Sequence, residues 1–199
     1  SSLSVDTQAT HGFVAVGEPL LVTKSNGCII QELNGKPAWE EYTRHLGLTA
    51  EASCGDTIPI GALGEELSAE LAAEYGNKHI LRVVTKHVGN DMYYATTCPV
   101  GTKLWLTTRD EDLIFSEMDR IVQEISSRNK GKTPVAVFHA DCLARGRFLF
   151  NRIIKEELVS RMQFPFFVNG ECPPWLGMYG FGEFARLGGE NTYHNYTCL

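Results

Sequence analysis

Short β-type runs separated by glycine-containing turns occupy most of this chain, which strongly limits the folds it can adopt. Residues 19–23 and 28–33 are two such runs. The Asn-Gly pair at 26–27 supplies the positive φ of a tight reversal, so the two runs predict a β-hairpin. The turn-separated runs at 79–86, 92–97 and 103–108 predict an antiparallel meander.

A smaller number of segments has the 3.6-residue period of a helix. Apolar side chains recur at helical spacing over 38–46, 64–75, 111–127 and 143–163. Further short strands are expected at 134–139, 165–169, 175–184 and 191–199, and 49–59 is expected to be a loop. The pattern predicts a single α+β domain, in which a mixed, largely antiparallel β-sheet packs with α-helices.

Composition excludes several functional classes. The chain has 18 basic and 24 acidic residues in 199, for a net charge of −6, and no cluster of Lys or Arg, which disfavours nucleic acid as a partner. No apolar stretch is long enough for a membrane span, so no membrane partner is expected. Six cysteines without a CxxC pair predict reduced thiols and a cytoplasmic location. Six histidines without helical pairing predict no metal site.

One cluster of chemically useful residues lies at a predicted strand-to-helix junction. Asp141, Cys142 and Arg145 follow the apolar run at 134–139 and combine a carboxylate, a thiol and a guanidinium. Ligands commonly bind at strand ends of this kind. The alternative is structural: Asp141 caps the helix, Cys142 is a small buried apolar residue, and Arg145 pairs with a surface carboxylate.

A second cluster lies near the C-terminus, where 176–183 alternates apolar residues with glycines and ends at Glu183. Tyr179 lies within this run, and His194 and Asn195 follow in the last predicted strand. Glycines inside a strand indicate close approach of a ligand or another backbone. We therefore expect the two clusters to line one concavity. The alternative is a core strand with a glycine bulge and Glu183 exposed at its end.

The order of several sequence blocks resembles the C-terminal domain of the FIST family. The matching blocks are GEPLLVT (17–23), IIQELNGKPA (29–38), DCLARG (141–146), GMYGFGE (177–183) and HNYT (194–197). The resemblance assigns 13–199 to a FIST C-like ligand-binding domain. Residues 1–12 are then a linker or the edge of a preceding FIST N-terminal module.

What the resemblance implies is a cytoplasmic sensory domain of a signal-transduction protein. The implied ligand is an amino acid or a similar small metabolite, and the implied partners are the FIST N-terminal half and an output signalling module. The implied ligand-binding residues are those of the two clusters: Asp141, Cys142, Arg145, Tyr179, Glu183, His194 and Asn195. Two positions depart from the family pattern, since Phe184 stands where Ile is frequent and Tyr196 where many relatives have Gln.

The main prediction is a binding domain that has no catalytic residues and no cofactor. Three other functions remain as alternatives. Cys142 could serve as the nucleophile of a hydrolase, with His139 or His194 as base. The same histidines or Cys142 could ligate haem, which some members of the family bind. Finally, the domain could be a protein-interaction scaffold without a ligand.

Overall fold

The computed structural model describes residues 3–145 and 152–199. The chain forms two compact units. The sheet unit contains Phe13–Ala73 and Asn77–Arg109, and the carboxyl unit contains Ser1–Gly12, Glu74–Gly76 and Asp110–Leu199. The described residues of the 1–12 segment, expected as a linker or the edge of a preceding FIST N-terminal module, are grouped with the C-terminal segment by their contacts.

The sheet unit is built on an eight-stranded, antiparallel sheet with the order β5-β4-β8-β1-β2-β7-β6, and β3 pairs with β2. Its strands are β1 (Phe13–Asn26), β2 (Ile29–Leu33), β3 (Lys36–Pro37), β4 (Ala62–Glu66), β5 (His79–Arg82), β6 (Lys86–Val88), β7 (Asp91–Tyr93) and β8 (Lys103–Arg109). Its helices are α1 (Ala38–His45), α2 (Cys54–Thr57) and α3 (Ala69–Tyr75), of which the last two residues belong to the carboxyl unit.

The predicted hairpin and first helix of the sheet unit are confirmed. Asn26 pairs with Ile29 across the turn, and Gly27 has a φ of 59°, as a tight reversal requires. Helix α1 buries Trp39 and Tyr42 against the sheet core and ends before Gly47, which has a φ of 73°.

Two expectations about this unit are only partly correct. The helix predicted from residue 64 begins only at Ala69, because 62–66 forms β4 between β5 and β8. Gly64 allows this close pairing: a Cβ there would lie 2.9 Å from the Thr107 Cγ2 atom and 3.0 Å from the His79 Cβ atom. The predicted meander is correct only for its first turn, where β6 pairs with β7, because β5 pairs with β4, β7 also pairs with β2, and β8 pairs with both β4 and β1. The segment 49–59 contains the short α2.

The carboxyl unit combines two small β-structures with two long helices. Strands β9 (Val137–Cys142) and β10 (Trp175–Gly180) are parallel, and β11 (Glu183–Leu187) and β12 (Glu190–His194) form an antiparallel hairpin. Helices α4 (Glu111–Arg128) and α5 (Arg152–Gln163) pack around a core of Ile114, Met118, Ile121, Val122, Leu158, Met162 and Cys198.

Helix α4 agrees with its prediction. The Asp110 side chain accepts a hydrogen bond from the Leu113 backbone N–H at 2.8 Å, which caps the helix start. The strand expected at 165–169 is wrong, because Phe164–Phe166 forms a 3-10 helix. The predicted helix 143–163 is observed from Arg152, and its segment 146–151 lies outside the described residues.

The predicted strand 134–139 is displaced, and this changes the site. Strand β9 runs to Cys142, so that Asp141 is a strand residue and not a helix cap. The C-terminal residues extend the pairing on the other edge of β9, where Cys142 donates its backbone N–H to the Thr197 carbonyl at 2.9 Å. Cys198 forms bridges with both Asp141 and Thr10. The α+β class with largely antiparallel strands is confirmed.

Candidate functional site

An ion pair lies at the end of β9. The Arg145 Nη1 atom donates to both carboxylate oxygens of Asp141, at 3.0 and 3.1 Å, and its Nε donates to the His11 carbonyl at 2.9 Å. Both side chains are buried, so the pair is desolvated and its geometry is fixed by these bonds. The structural alternative is therefore wrong for Asp141 as a helix cap and for Arg145 as the partner of a surface carboxylate, whereas Cys142 is buried as that alternative expected.

A second acid, Glu183, lies at the start of β11 and is 3% exposed. Neither of its carboxyl oxygens has a hydrogen-bond partner among the described residues. The Cys142 thiol and the Thr197 backbone lie close enough to favour the ionised form of the Glu183 carboxyl. Neither forms a hydrogen bond with it by the usual distance and angle limits. The alternative of an exposed strand end is therefore wrong for Glu183.

The pKa of Glu183 is raised to about 8. Burial is the main cause, and the negative charge of nearby Asp141 acts in the same direction. Arg145 acts in the opposite direction but is already paired with Asp141. At neutral pH the Glu183 carboxyl is thus mainly protonated. The site holds one neutral acid beside one buried ion pair.

Two glycines of the 177–183 block explain how this carboxyl is packed. A Cβ on Gly180 would lie 3.3 Å from the Glu183 Oε1 atom, so the absence of a side chain lets the carboxyl pack closely against the Gly180 backbone. A Cβ on Gly182 would lie 2.1 Å from the Tyr193 hydroxyl, a distance that no side chain can adopt. The close approach that the glycines predicted is made by Glu183 and Tyr193.

His194 and Asn195 complete the predicted set. His194 pairs with Glu183 across the β11–β12 hairpin, and its Nε2 lies 2.7 Å from the Thr192 hydroxyl. The Asn195 amide donates to the Tyr193 hydroxyl at 3.2 Å. Both site residues are buried, and these hydrogen bonds are local, since each joins side chains two residues apart.

Sequence reasoning missed several residues that surround this cluster. The Tyr75 ring contacts the rings of His11 and His194 edge-on, at centroid distances of 5.9 and 5.3 Å, and its hydroxyl lies 3.5 Å from the Thr197 hydroxyl. Burial raises the pKa of Tyr75 and of Cys198. These residues are far apart in sequence, and the only local signal was the helical spacing that placed Tyr75 on an apolar face.

The backbone also has a strained position here. Tyr196 is buried and adopts a φ of 51°, in the left-handed region that non-glycine residues rarely occupy. The turn that it makes allows Thr197 and Cys198 to pair with β9. Strained residues of this kind cluster at functional sites.

Tyr179 is the one predicted residue outside the buried cluster. It neighbours Asp141 in the β9–β10 register, but its side chain is 41% exposed. The other six predicted residues come together as a closed cluster. Two surface depressions lie elsewhere, one of about 640 Å³ along the outer side of α4 and one of about 360 Å³ beside 65–68.

The fold and the buried cluster define an α+β domain built around ionisable groups that water does not reach. The sequence profile of the FIST C domain matches residues 38–186, and the chain belongs to this family. The predicted resemblance is confirmed, and at the level of the family the chain is a sensory, signal-transduction domain.

Relatives of the chain have been found in mycobacteria. Uncharacterized protein Mb0898c of Mycobacterium bovis and uncharacterized protein MT0897 of Mycobacterium tuberculosis are each 23% identical over 202 residues, covering 95% of this chain. The match covers 48% of each relative, so the chain spans about half their length. No solved structure matches the chain significantly. None of the described helices is both long and apolar enough to cross a membrane.

Proposed function

We propose that this chain is a cytoplasmic, small-ligand-binding sensory domain of a signal-transduction protein. The observation that carries the proposal is the buried Glu183 carboxyl, whose oxygens lack hydrogen-bond partners among the described residues. A buried polar group without a partner costs about 1–3 kcal/mol, and a ligand donor would recover this cost.

Binding to a closed cluster requires a conformational change. Arg145, His194 and Glu183 are buried, so a ligand reaches Glu183 only when part of the surrounding structure moves. A ligand that binds the moved state shifts the population toward it, which is the physical basis of a sensor. The partners that would read this shift are a FIST N-terminal half and an output signalling module.

The ligand class that fits is an amino acid or a similar small metabolite. Glu183 can receive an ammonium group. The Arg145 Nη2 atom donates only to the Met118 sulfur, at 3.0 Å, among the bonds that the structure gives it. A thioether is a weak hydrogen-bond acceptor. A ligand carboxylate in its place would accept a stronger, charge-assisted hydrogen bond from Arg145.

The experiment has two stages, both on the intact chain. Native mass spectrometry looks for a co-purified small molecule, and calorimetry then compares wild type with Glu183→Gln for that molecule and for an amino-acid panel. We expect the variant to lose about 1–3 kcal/mol of binding free energy. Glu190→Gln, on the exposed turn of the same hairpin, is the control and should bind as wild type. Equal affinities in wild type and Glu183→Gln would instead favour a scaffold without ligand.

The hydrolase alternative is poorly supported by the environment of Cys142. Burial raises the pKa of its thiol to about 11, and the carboxyl of Glu183 contributes in the same direction. A nucleophilic cysteine requires the opposite shift, so that the thiolate is present at neutral pH. We therefore propose a binding role for this domain and no catalytic one.

The packing of the two candidate histidines gives the haem alternative less support than ligand binding at Glu183. The His194 Nε2 atom is already bonded to Thr192, and the ring packs against Tyr75. His139 is buried with its ring edge-on to Trp175, and burial lowers its pKa. Because both rings are packed against aromatic side chains, we favour a role for this domain without haem.

A further inference from the structure

One face of the β9–β10 pair is apolar and exposed at its outer end. The register places Phe138 beside Leu176, and Ala140 beside Met178. Paired residues of neighbouring strands share a face, and alternate residues along a strand do too. Phe138, Leu176 and Met178 are 60%, 63% and 53% exposed, and together they form what we call the apolar strip.

The apolar strip leads to Glu183, whose carboxyl has no hydrogen-bond partner in the described part of the chain. The next pair on the same face is Cys142 and Gly180, and the position of a Cβ on Gly180 is 3.3 Å from the Glu183 Oε1 atom. Exposure falls along the face, from the strip to half-buried Gly180 and then to buried Cys142. An exposed apolar surface therefore leads toward a buried carboxyl, and the residue between them is a glycine, which has no side chain to separate the two.

The side chains on this face of the β9–β10 pair indicate the chemical class of the ligand that binds there. Contiguous exposed apolar side chains mark a binding surface. At the polar end of this face, the two carboxyl oxygens of Glu183 accept no hydrogen bond from any described residue. Cationic ligands are further favoured by the net charge of −6. We propose that this face binds a small amphiphilic amine, with its apolar body on Phe138, Leu176 and Met178 and its ammonium group at Glu183.

The proton balance is simple. An amine that enters as a neutral molecule takes the proton of the Glu183 carboxyl, and one that enters as an ammonium ion sends that proton to solvent. Either way the bound state is an ammonium paired with a carboxylate, which is a charge-assisted hydrogen bond. This inference rests on the proposed function and specifies the ligand class of the same site.

The methionines provide a direct probe of the strip. Met178 is exposed, whereas Met92, Met118 and Met162 are buried and serve as internal references. The intact chain, labelled with ¹³C in the methionine methyl groups, is titrated with hexylammonium, methylammonium, hexan-1-ol and hexanoate. We expect hexylammonium to shift the Met178 signal at concentrations at least about tenfold lower than any of the other three.

Two variants and a matched control locate the head group. Glu183→Gln and Gly180→Ala should each weaken hexylammonium binding at least about tenfold, because one removes the charge and the other places a methyl group 3.3 Å from the Glu183 Oε1 atom. Gly177→Ala is the control, since it lies on the opposite face of β10 and its Cβ would make an ordinary 3.6 Å contact with His139. It should leave hexylammonium binding unchanged.

The inference is overturned if hexan-1-ol is as effective as hexylammonium, or if Glu183→Gln binds hexylammonium as wild type does. A Met178 shift that depends on protein concentration without added amine would assign the strip to a second copy and also overturn it. If an amino acid binds in a Glu183-dependent way without moving Met178, this inference fails while the proposed function stands. If neither hexylammonium nor any ligand of the calorimetric panel binds, both fail.

Discussion

Replacing Glu183 by glutamine is expected to remove a large part of the pH dependence of this chain's stability. In the folded chain, burial raises the pKa of Glu183 to about 8 from an ordinary value of 4.5. Glutamine has nearly the same size and hydrogen-bonding capacity as the protonated acid, but it does not ionise. The variant therefore isolates the cost of ionising this buried carboxyl.

The sign and size of the change in unfolding free energy with pH follow from the linkage between proton binding and folding. The folded state holds the proton more tightly than the unfolded state, so the stabilisation is complete below the unfolded pKa and is lost as pH rises toward the folded one. The full difference between the folded and unfolded pKa values of Glu183 corresponds to about 5 kcal/mol of unfolding free energy, at about 1.4 kcal/mol per pKa unit. About 2 to 3 kcal/mol of it is lost between about pH 5 and pH 7.

The assay is urea unfolding followed by circular dichroism at a series of pH values in this range. Wild type should lose about 2 to 3 kcal/mol more unfolding free energy than Glu183→Gln between the two ends. Glu190→Gln, which removes an exposed carboxylate from the same hairpin, should keep the wild-type slope. Parallel curves for wild type and Glu183→Gln would refute the claim that Glu183 is held protonated by burial.

Three further outcomes follow from the same packing. Arg145→Met should destabilise the chain by about 3–5 kcal/mol in urea unfolding, because it leaves the buried Asp141 charge unpaired. Gly182→Ala should cost about 1–3 kcal/mol or more in the same assay, because its methyl group would overlap the Tyr193 hydroxyl. Cys142 should react with a neutral-pH thiol probe more slowly than the exposed cysteines, as mass spectrometry of the labelled peptides would measure, since burial raises its pKa to about 11.

The arginine and glycine substitutions each have a counterpart that should show little effect. Arg161→Met removes half-exposed ion pairs with Asp119 and Glu157 and should cost about 0–1 kcal/mol. Gly177→Ala adds a methyl group at ordinary contact distance. A loss for Arg161→Met as large as that for Arg145→Met would contradict the role of burial, and fast labelling of Cys142 with ester hydrolysis would restore the hydrolase alternative.

Local sequence signals predicted the elements whose formation depends on neighbouring residues. Helix α4 was predicted because its apolar side chains keep one period and Asp110 can cap its start. The β1–β2 hairpin was predicted because the Asn26-Gly27 pair fits a tight reversal. Both features are decided within one or two turns of chain, so the sequence alone contains enough information.

Elements that depend on distant partners were predicted less well. The 64–75 segment has helical spacing, yet 62–66 is a strand because β5 and β8 offer it backbone hydrogen bonds on both edges. Strand β9 extends through Asp141 because β10 and the C-terminal residues pair with it there. Tertiary pairing overrides local propensity whenever it satisfies more backbone groups.

The sequence by itself determined the family, the α+β class and the residue types of the candidate site, since acids, thiol, guanidinium and glycines are all legible in the two C-terminal blocks. Only the tertiary structure decided their chemical state. It paired Asp141 with Arg145, and it buried Glu183 without a hydrogen-bond partner among the described residues. It also brought Tyr75 to the cluster from a distant segment. The physical reason is that protonation and accessibility depend on desolvation, which arises only when residues far apart in the chain pack together.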